Sequence, residues 1–194
     1  MKKGHKVFYS TLRFLFKPIL MLVFRPKIVN KDLIPKEGAV IFCGNHKSFY
    51  DQFMVIVAER RPISFLAKSE YFDNKLIAWF FKGVGCIRTD RDKKGGDALE
   101  EALKVLKKGD PVGIFPEGTR NRTDKPLIPF KFGAVSLAKK TDAWIVPFGI
   151  TGSYHITNKD LRVEFAKPFK VGDMTLEEAN QKLYNTILEI IIKE

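Results

Sequence analysis

The sequence predicts an α/β fold in which helices flank a central, mostly parallel β-sheet. Two observations lead to this prediction. Short apolar segments typical of buried strands alternate with longer amphipathic segments typical of helices, and glycines end several of them. The chain of 194 residues is also 45% hydrophobic and 29% charged, so it is long and apolar enough to bury one sizeable core.

The elements follow from these segments in chain order. Strands are predicted at residues 27–29, 38–45, 62–67, 86–89, 111–115, 143–150 and 161–165, the last as an edge strand. Helices are predicted at residues 51–59, 74–85, 96–109 and 131–141, and a last helix begins at the capping box Thr175-x-x-Glu178. In parallel sheets, active sites gather where strands end and helices begin, so residues at those points are the first functional candidates.

Residues 1–26 are predicted to form a membrane-associating helical segment, followed by one α/β domain at residues 27–194. Residues 1–27 contain no acidic side chain and carry +7 of the net charge of +12. On a helix, Lys6, Ser10, Arg13 and Lys17 form a narrow polar stripe. The apolar face contains Phe8, Leu12, Leu15, Ile19 and Leu22. Pro18 is expected to kink or divide this helix.

Such a pattern is typical of a helix that lies in the interface of an anionic membrane. The longest uncharged run, residues 18–24, is far shorter than the roughly 20 residues that a spanning helix needs. The segment also lacks the small-x-small cleavage site of a signal peptide. The alternative is that the helix packs its apolar face against the domain.

Other functional classes have less support. Nucleic acid is not an expected partner, because neither a recognition helix nor an RNA-binding aromatic motif accompanies the basic charge. Cys43 and Cys86 lie in apolar segments outside any CxxC pattern, so reduced, buried thiols are expected. Because Cys and His do not cluster, no metal site is predicted, and no cofactor is expected.

Two His-Asp pairs share one spacing, His46 with Asp51 and His155 with Asp160. His46 follows a predicted buried strand and precedes a helix, whereas His155 lies in a polar segment and is interpreted as a loop histidine. A neutral imidazole can take a proton from a hydroxyl, and a carboxylate can fix its tautomer. The alternative for the first pair is a helix-capping aspartate beside a structural histidine.

The first pair can meet only if the chain turns between its members, because positions five apart do not share a helix face. Gly44, Asn45 and Ser48 allow such a turn.

Basic residues follow other predicted strands. Arg88 comes shortly after the glycines of GVGCIR, and Arg120 ends the segment FPEGTR at residues 115–120. Guanidinium groups bind phosphate in a bidentate manner, and glycine lets backbone N–H groups approach an anion. Lys68 and Lys131 are further candidates. Taken singly, each of these signals is weak, because a lone surface cation is usually solvated.

In combination, the motifs resemble the glycerophospholipid acyltransferase family, which includes the bacterial 1-acylglycerol-3-phosphate acyltransferases. The family's blocks occur in its order: NHxxxxD at Asn45, His46 and Asp51, a glycine-to-arginine block at 83–88, FPEGTR at 115–120, and an apolar block around a proline at 145–150. The resemblance implies the fold of glycerol-3-phosphate acyltransferases. It also implies a peripheral or monotopic location at the cytoplasmic face of the cell membrane.

The resemblance also implies a reaction. His46, oriented by Asp51, would deprotonate the 2-hydroxyl of lysophosphatidic acid. That oxygen would attack an acyl thioester of coenzyme A or acyl carrier protein, giving phosphatidic acid. No serine elbow is present, so direct transfer without an acyl-enzyme is expected.

Binding roles are implied in the same way. Arg88 and Arg120 would bind the acceptor's phosphate, with additional charge from Lys68 and Lys131. The segment Glu117-Gly118-Thr119 would shape that pocket, or Glu117 would bond the glycerol oxygens. Asn45 and Ser48 would support the turn. The apolar residues 53–57 and 77–81 would line an acyl groove or belong to the core.

Three alternatives stay open. The acceptor could be another lysolipid or glycerol-3-phosphate. The enzyme could be an acyl-thioester hydrolase, although hydrolysis needs no second phosphate site. The chain could also be a non-enzymatic binder of anionic membrane or nucleic acid.

Overall fold

The computed structural model describes residues 3–89 and 96–193, so Lys2 of the predicted N-terminal segment and Glu194 lie outside the described residues. The helices are α1 (Lys3–Phe24), α2 (Asp51–Ala58), α3 (Lys75–Gly83), α4 (Gly96–Leu106), α5 (Gly133–Thr141) and α6 (Leu176–Ile192). The strands are β1 (Lys27–Val29), β2 (Val40–Gly44), β3 (Ser64–Lys68), β4 (Ile87–Thr89), β5 (Val112–Ile114), β6 (Trp144–Thr151) and β7 (Arg162–Phe165). Each predicted element is present, with ends shifted by a few residues, and α6 begins at the predicted capping box.

Within the described residues, the strands form one seven-stranded sheet in the order β1-β7-β6-β2-β5-β3-β4. Neighbouring strands from β6 to β4 run parallel. Strand β7 runs antiparallel to β6, and β1 runs parallel to β7. The predicted α/β fold with a mostly parallel sheet is confirmed. The carboxyl ends of β2, β5, β3 and β4 therefore lie side by side at one edge of the sheet.

The prediction that residues 161–165 form an edge strand is wrong. Strand β7 lies between β6 and β1, and β1 takes the edge position. Along β7, Val163 and Phe165 are fully buried, whereas Arg162 and Glu164 pair with each other at 3.0 Å on the opposite face. The alternation that suggested an edge thus arises because one face of β7 is polar, not because one side of the strand is unpaired.

Two apolar layers sandwich the sheet. On one face, α4, α5 and α6 contribute buried residues such as Ala102, Val135 and Leu183. On the other face, α2 and the end of α1 pack Met54, Val55 and Phe24 against the strands. Strand β2 is buried along its whole length, as the continuous apolar run predicts, and so fixes the position of the turn that follows it.

Helix α1 is continuous through Pro18, so of the two expected effects of this proline, division of the helix does not occur. Contacts with α2 and α3 hold the helix along its length. Arg13 donates from Nε to the carbonyl oxygen of Ile56 at 2.9 Å and from Nη2 to that of Val57 at 3.3 Å, both at the end of α2. The Phe8 ring packs edge-on against Trp79 of α3, with 5.4 Å between ring centroids.

Helix α1 turns both polar and apolar side chains towards the domain. Arg13 and Lys17 of its predicted polar stripe are partly buried, whereas Ser10 is exposed. Desolvation, followed by the nearby Arg13 charge, lowers the pKa of Lys17.

The outward side of α1 is apolar, with Phe14 and Leu22 exposed by 78% and 70%. Other apolar side chains of α1 pack on the domain, since Tyr9 and Phe24 are buried and Phe8 contacts α3. The alternative in which α1 packs against the domain is therefore observed in part.

The length of α1 also differs from the expectation based on its uncharged run. Residues Gly4–Phe24 form a helix that is long and apolar enough to cross a membrane, judged by length and composition alone, and 11% of its most apolar window is buried. The sequence argument counted only residues without charge, whereas Arg13 and Lys17 interrupt the run without interrupting the helix.

Candidate active site

The site begins where β2 ends. The side chain of Asn45 is buried and bonds both backbone groups of Ile150 in β6: Nδ2 donates to the carbonyl oxygen at 2.9 Å, and Oδ1 accepts the N–H at 2.7 Å. Gly44 precedes it, and a Cβ atom there would lie 2.2 Å from the Phe148 ring. The chain can therefore leave the sheet at this point only with a glycine followed by a residue that completes the β2–β6 pairing.

His46 and Asp51 meet across the turn from β2 to α2. His46 Nδ1 lies 2.8 Å from Asp51 Oδ2, and the same oxygen accepts the backbone N–H groups of Lys47 and Ser48, each at 2.8 Å. Asp51 is the first residue of α2 and is fully buried. The carboxylate thus closes the turn and orients the imidazole at once. The alternative of a helix-capping aspartate is not observed, because the N-cap residue of α2 is Tyr50 and the N–H groups that Asp51 accepts precede the helix.

The other face of the imidazole packs on an aromatic ring. The rings of His46 and Phe115 stack with 4.1 Å between centroids and 13° between planes. When Nδ1–H is donated to Asp51, the lone pair of the neutral ring lies on Nε2. No hydrogen bond to Nε2 is formed by the described residues, and the side chain is 18% exposed. The arrangement therefore presents one basic nitrogen, in a fixed orientation, at the carboxyl edge of the sheet.

The FPEGTR segment holds the backbone of His46. Glu117 Oε1 accepts the His46 N–H at 2.7 Å, and Asn121 N donates to the His46 carbonyl oxygen at 2.6 Å. Glu117 Oε2 accepts the N–H of Ile128 at 3.1 Å, and this side chain is 3% exposed. Burial raises the pKa of the Glu117 carboxyl, and the two N–H bonds oppose that effect. Glu117 therefore positions His46 and shapes the loop from the inside.

The predicted phosphate-binding residues lie at the same edge of the sheet, at different distances from His46. Arg120 is partly buried beside Asn121, whose N–H reaches His46. The Lys131 side chain lies over Gly118, which has a φ of +70°, so that a Cβ at Gly118 would come within 2.9 Å of Lys131 Cε. Thr119, between Gly118 and Arg120, is exposed.

Lys68 and Arg88 lie further along this edge. Lys68 ends β3 and pairs with Glu70, while Arg88 in β4 lies 4.0 Å from Asp73 and packs over the Phe72 ring. Strand β4 is separated from β2 by β5 and β3, or about 14 Å at the usual strand spacing. Arg120 and Lys131 thus belong to the loop that bonds the backbone of His46, whereas Arg88 lies three strands away.

The second His-Asp pair does not form. His155 and Asp160 are both exposed on the loop between β6 and β7, and neither a hydrogen bond nor an ion pair joins these two described residues. The distinction drawn from their sequence contexts is confirmed.

An apolar groove of about 350 Å³ lies beside the turn. Its walls come from the turn, from the segment that follows β3 and from α3: Phe49, Tyr71, Leu76, Ile77, Phe80 and Phe81. Three of the residues 77–81 thus line an apolar groove, namely Ile77, Phe80 and Phe81. In residues 53–57, by contrast, Met54, Val55 and Val57 belong to the core.

Two contacts of the His-Asp pair come from residues that the sequence did not single out. Tyr154 Oη donates to Asp51 Oδ1 at 2.7 Å, and Asn121 bonds the backbone of His46. Asn121 directly follows the FPEGTR segment, which was the available signal. Tyr154 lies in a polar loop after the apolar block, and no sequence pattern distinguishes it.

Cys43 is buried as expected, whereas Cys86 is partly buried. Cys43 and Cys86 are free thiols, and burial raises the pKa of Cys86 to about 12 and that of Cys43 further. Among the described residues, no group of three or more His, Cys, Asp or Glu side chains could hold a metal ion.

A parallel α/β sheet that carries a His-Asp pair at the end of a central strand, beside an FPEGTR turn, defines a class of enzyme. The sequence model of the acyltransferase family matches residues 25–151. The chain belongs to this family, and its class of activity is acyl transfer.

Within this family, the chain is similar to enzymes that acylate 1-acyl-sn-glycerol-3-phosphate, judging by the names of its relatives. A 1-acyl-sn-glycerol-3-phosphate acyltransferase of Bacillus subtilis is 34% identical over 161 residues, which are 82% of this chain and 75% of the relative. An enzyme of the same name from Streptococcus pneumoniae is 27% identical over 180 residues, or 89% of this chain and 66% of the relative. The crystal structure of the 1-acyl-sn-glycerophosphate acyltransferase PlsC of Thermotoga maritima superposes with a TM-score of 0.79 at 22% identity, covering 100% of this chain and 85% of that one.

Proposed function

We propose that the enzyme transfers an acyl chain from acyl-coenzyme A or acyl carrier protein to the sn-2 hydroxyl of 1-acyl-sn-glycerol-3-phosphate, forming phosphatidic acid. The observation that carries the proposal is the His46–Asp51 pair at 2.8 Å, with Nε2 unbonded by the described residues. The names of the relatives in Bacillus subtilis and Streptococcus pneumoniae support the choice of acceptor.

The reaction follows from the orientation of the imidazole. Nε2 of His46 takes the proton of the acceptor hydroxyl as its oxygen attacks the thioester carbonyl carbon. The tetrahedral intermediate collapses with loss of the thiolate, which receives the proton from the imidazolium. Asp51 stabilises the imidazolium through its Nδ1–H bond, and no covalent enzyme intermediate is required. A base of this kind contributes about 10²- to 10⁴-fold in rate.

The acceptor's phosphate is assigned to Arg120 and Lys131, with Gly118 between them. Two features support this assignment. Gly118 has a positive φ, a backbone conformation that favours glycine and leaves backbone N–H groups of the turn accessible to an anion. The Lys131 side chain occupies the space that a Cβ at Gly118 would need. Lys68 and Arg88 extend the positive charge along the edge of the sheet, towards the diphosphate or protein carrier of the donor or the far side of the acceptor.

The acyl chain is assigned to the apolar groove beside Phe49. Its volume of about 350 Å³ and its six apolar or aromatic wall residues suit an aliphatic chain, and Phe49 lies three positions after His46. A thioester whose chain occupies the groove would place its carbonyl group near Nε2.

We also propose that α1, within the segment at residues 1–26, holds the enzyme on the cytoplasmic face of the membrane without spanning it. The outward apolar side of α1 suits the acyl region of a leaflet. If α1 spanned the membrane, Arg13 would lie within the hydrocarbon. The domain surface around it would lie there too, because Arg13 is bonded to the end of α2. Residues 27–194 then form the catalytic domain at the bilayer surface.

Purified enzyme assayed with lysophosphatidic acid and an acyl-coenzyme A tests the reaction. His46→Ala should lower kcat by about 10²- to 10⁴-fold with an unchanged far-ultraviolet spectrum. His155→Ala is the matched control, because it removes a loop imidazole, and should retain the wild-type rate. A His46→Ala enzyme with near-wild-type turnover would refute the mechanism. Thiol release that is equally fast without an acceptor would instead identify a thioester hydrolase.

A further inference from the structure

We infer that Tyr154 is a positioning residue for the His46–Asp51 pair, an inference that rests on the proposed role of that pair. Tyr154 Oη donates a 2.7 Å hydrogen bond to Asp51 Oδ1, from a position 103 residues further along the chain. It lies in the loop after β6, beyond the sequence blocks that identified the site.

The bond from Tyr154 complements those on the other carboxylate oxygen. Three donors converge on Asp51 Oδ2: the His46 ring and the backbone N–H groups of Lys47 and Ser48. A donor on Oδ1 fixes the plane of the carboxylate, and with it the direction in which Oδ2 faces the imidazole. Because Asp51 is fully buried, water cannot replace this donor without a rearrangement of the packing.

Tyr154 is itself held firmly. Its ring contacts Phe24, the last residue of α1, with 5.5 Å between centroids and 88° between planes, and it contacts Tyr50 at 5.6 Å. Lys47 Nζ lies 5.9 Å from the ring centroid and donates to the carbonyl oxygen of Gly152 in the same loop. Burial, reinforced by the Asp51 charge, raises the pKa of Tyr154 far above neutrality. The hydroxyl therefore stays protonated and remains a donor throughout the working range of the enzyme.

The chemical consequence concerns the negative charge that His46 experiences. The Tyr154 hydroxyl directs its positive end at the Asp51 carboxylate and so weakens the attraction between that carboxylate and an imidazolium. Two further ionisable side chains among the described residues adjoin this arrangement. Lys47 Nζ lies 5.9 Å from the Tyr154 ring centroid, and the Glu117 carboxylate accepts the His46 N–H. Removal of the hydroxyl alone leaves these in place, and His46 should then hold its proton to a higher pH.

The experiment compares Tyr154→Phe with Tyr50→Phe. Tyr50 belongs to the same aromatic cluster and is 43% exposed, so its substitution removes a neighbouring hydroxyl that does not touch Asp51. Tyr154→Phe should lower kcat roughly tenfold with little change in KM, and should shift the acidic limb of the pH–rate profile upward by about half a unit to one unit. Tyr50→Phe should match the wild type in both respects.

A second substitution keeps the test valid if Tyr154→Phe folds poorly. Replacement of Tyr154 by 3-fluorotyrosine keeps the hydroxyl and nearly the same shape but makes it a stronger donor, so the acidic limb should move to lower pH. An NMR titration of the His46 imidazole should follow the same two directions without dependence on turnover.

The outcomes separate the two claims. If His46→Ala retains activity, the proposed function fails, and the inference about Tyr154 fails with it. If His46→Ala is inactive but neither substitution at Tyr154 moves the rate, the pH profile or the imidazole titration, the base stands and the inference is overturned.

Discussion

The Glu117 carboxylate accepts the backbone N–H of His46 at 2.7 Å, although the two residues are 71 positions apart in the chain. Its second oxygen bonds Ile128, so one buried side chain joins the turn that carries the base to the loop that follows FPEGTR. An acidic residue next to cationic residues, in a motif at the end of a strand, suggests contact with substrate. Here, both carboxylate oxygens are already used by the protein.

The first prediction concerns stability against pH. Because burial raises the pKa of folded Glu117, the folded state binds more protons than the unfolded state above the ordinary value of about 4.3. The contribution of Glu117 to the free energy of unfolding is therefore fully present below about pH 4.3. It is lost as the pH rises through the pKa of Glu117 in the folded state. Urea unfolding between about pH 4 and 7 should show this loss in the wild type and a flatter curve in Glu117→Gln.

The control for this measurement is Glu177→Gln, at an exposed position in the first turn of α6. It should keep the wild-type slope. Parallel curves for the wild type and Glu117→Gln would contradict the assignment of the pH dependence to Glu117.

The second prediction concerns the acceptor's phosphate. Arg120→Ala should raise KM for lysophosphatidic acid by about 10- to 100-fold, as expected for loss of a hydrogen bond to a charged group. Turnover of a monoacylglycerol, which lacks the phosphate, should change little. Steady-state kinetics with both acceptors measure the difference, and the exposed Arg122→Ala serves as the charge-matched control. An equal loss with both acceptors would remove Arg120 from the phosphate site.

The third prediction concerns the outward face of α1. Ile19 and Leu22 are exposed by 53% and 70% on its apolar side. The double change Ile19→Ser and Leu22→Ser should lower the affinity for anionic liposomes at least tenfold, since each exposed side chain gains about 1.5–3 kcal/mol on burial. Co-sedimentation with the liposomes gives the affinity. The control is Ile192→Ser, which replaces an exposed isoleucine in α6 and should bind liposomes as the wild type does. A comparable loss of affinity in this control would show that the face of α1 is not the membrane contact.

The fourth prediction concerns the joint between α1 and α2. Arg13→Ala removes two hydrogen bonds to the carbonyl oxygens of Ile56 and Val57 and should lower the free energy of unfolding by about 1.5–3 kcal/mol. Limited proteolysis should then cut between α1 and β1 sooner than in the wild type. Lys167→Ala, which removes one exposed positive charge, should leave both measurements unchanged. Equal stability of the two variants would mean that the joint does not hold α1.

The order of strands and helices, the buried β2 and the turn at His46 were all predictable because each depends on local sequence. A continuous apolar run, a glycine-asparagine end and a capping residue act over a few positions. The position of β7 was not predictable in this way. Its polar face and its pairing with β1 depend on a chain segment more than 130 residues earlier.

The site was predictable to the same extent. The pairing of His46 with Asp51 follows from a short turn, and the rejection of His155 follows from its polar surroundings. The Tyr154 and Glu117 contacts arise only when distant segments are folded together, so nothing in the residues near them reveals their partners. The direction of α1 was hidden for a different reason: its pattern is amphipathic either way, and the bonds of Arg13 to α2 determine which side faces the domain.

Helix α2 is short and carries a functional contact at each end. It contains eight residues and is therefore about 12 Å long. Asp51 at its first position holds the imidazole, while the carbonyl oxygens of its last turn hold Arg13. The two ends of this short helix therefore join α1 directly to the carboxylate that orients the imidazole. If α1 makes the proposed membrane contact, the bilayer surface and the base lie only one short helix apart.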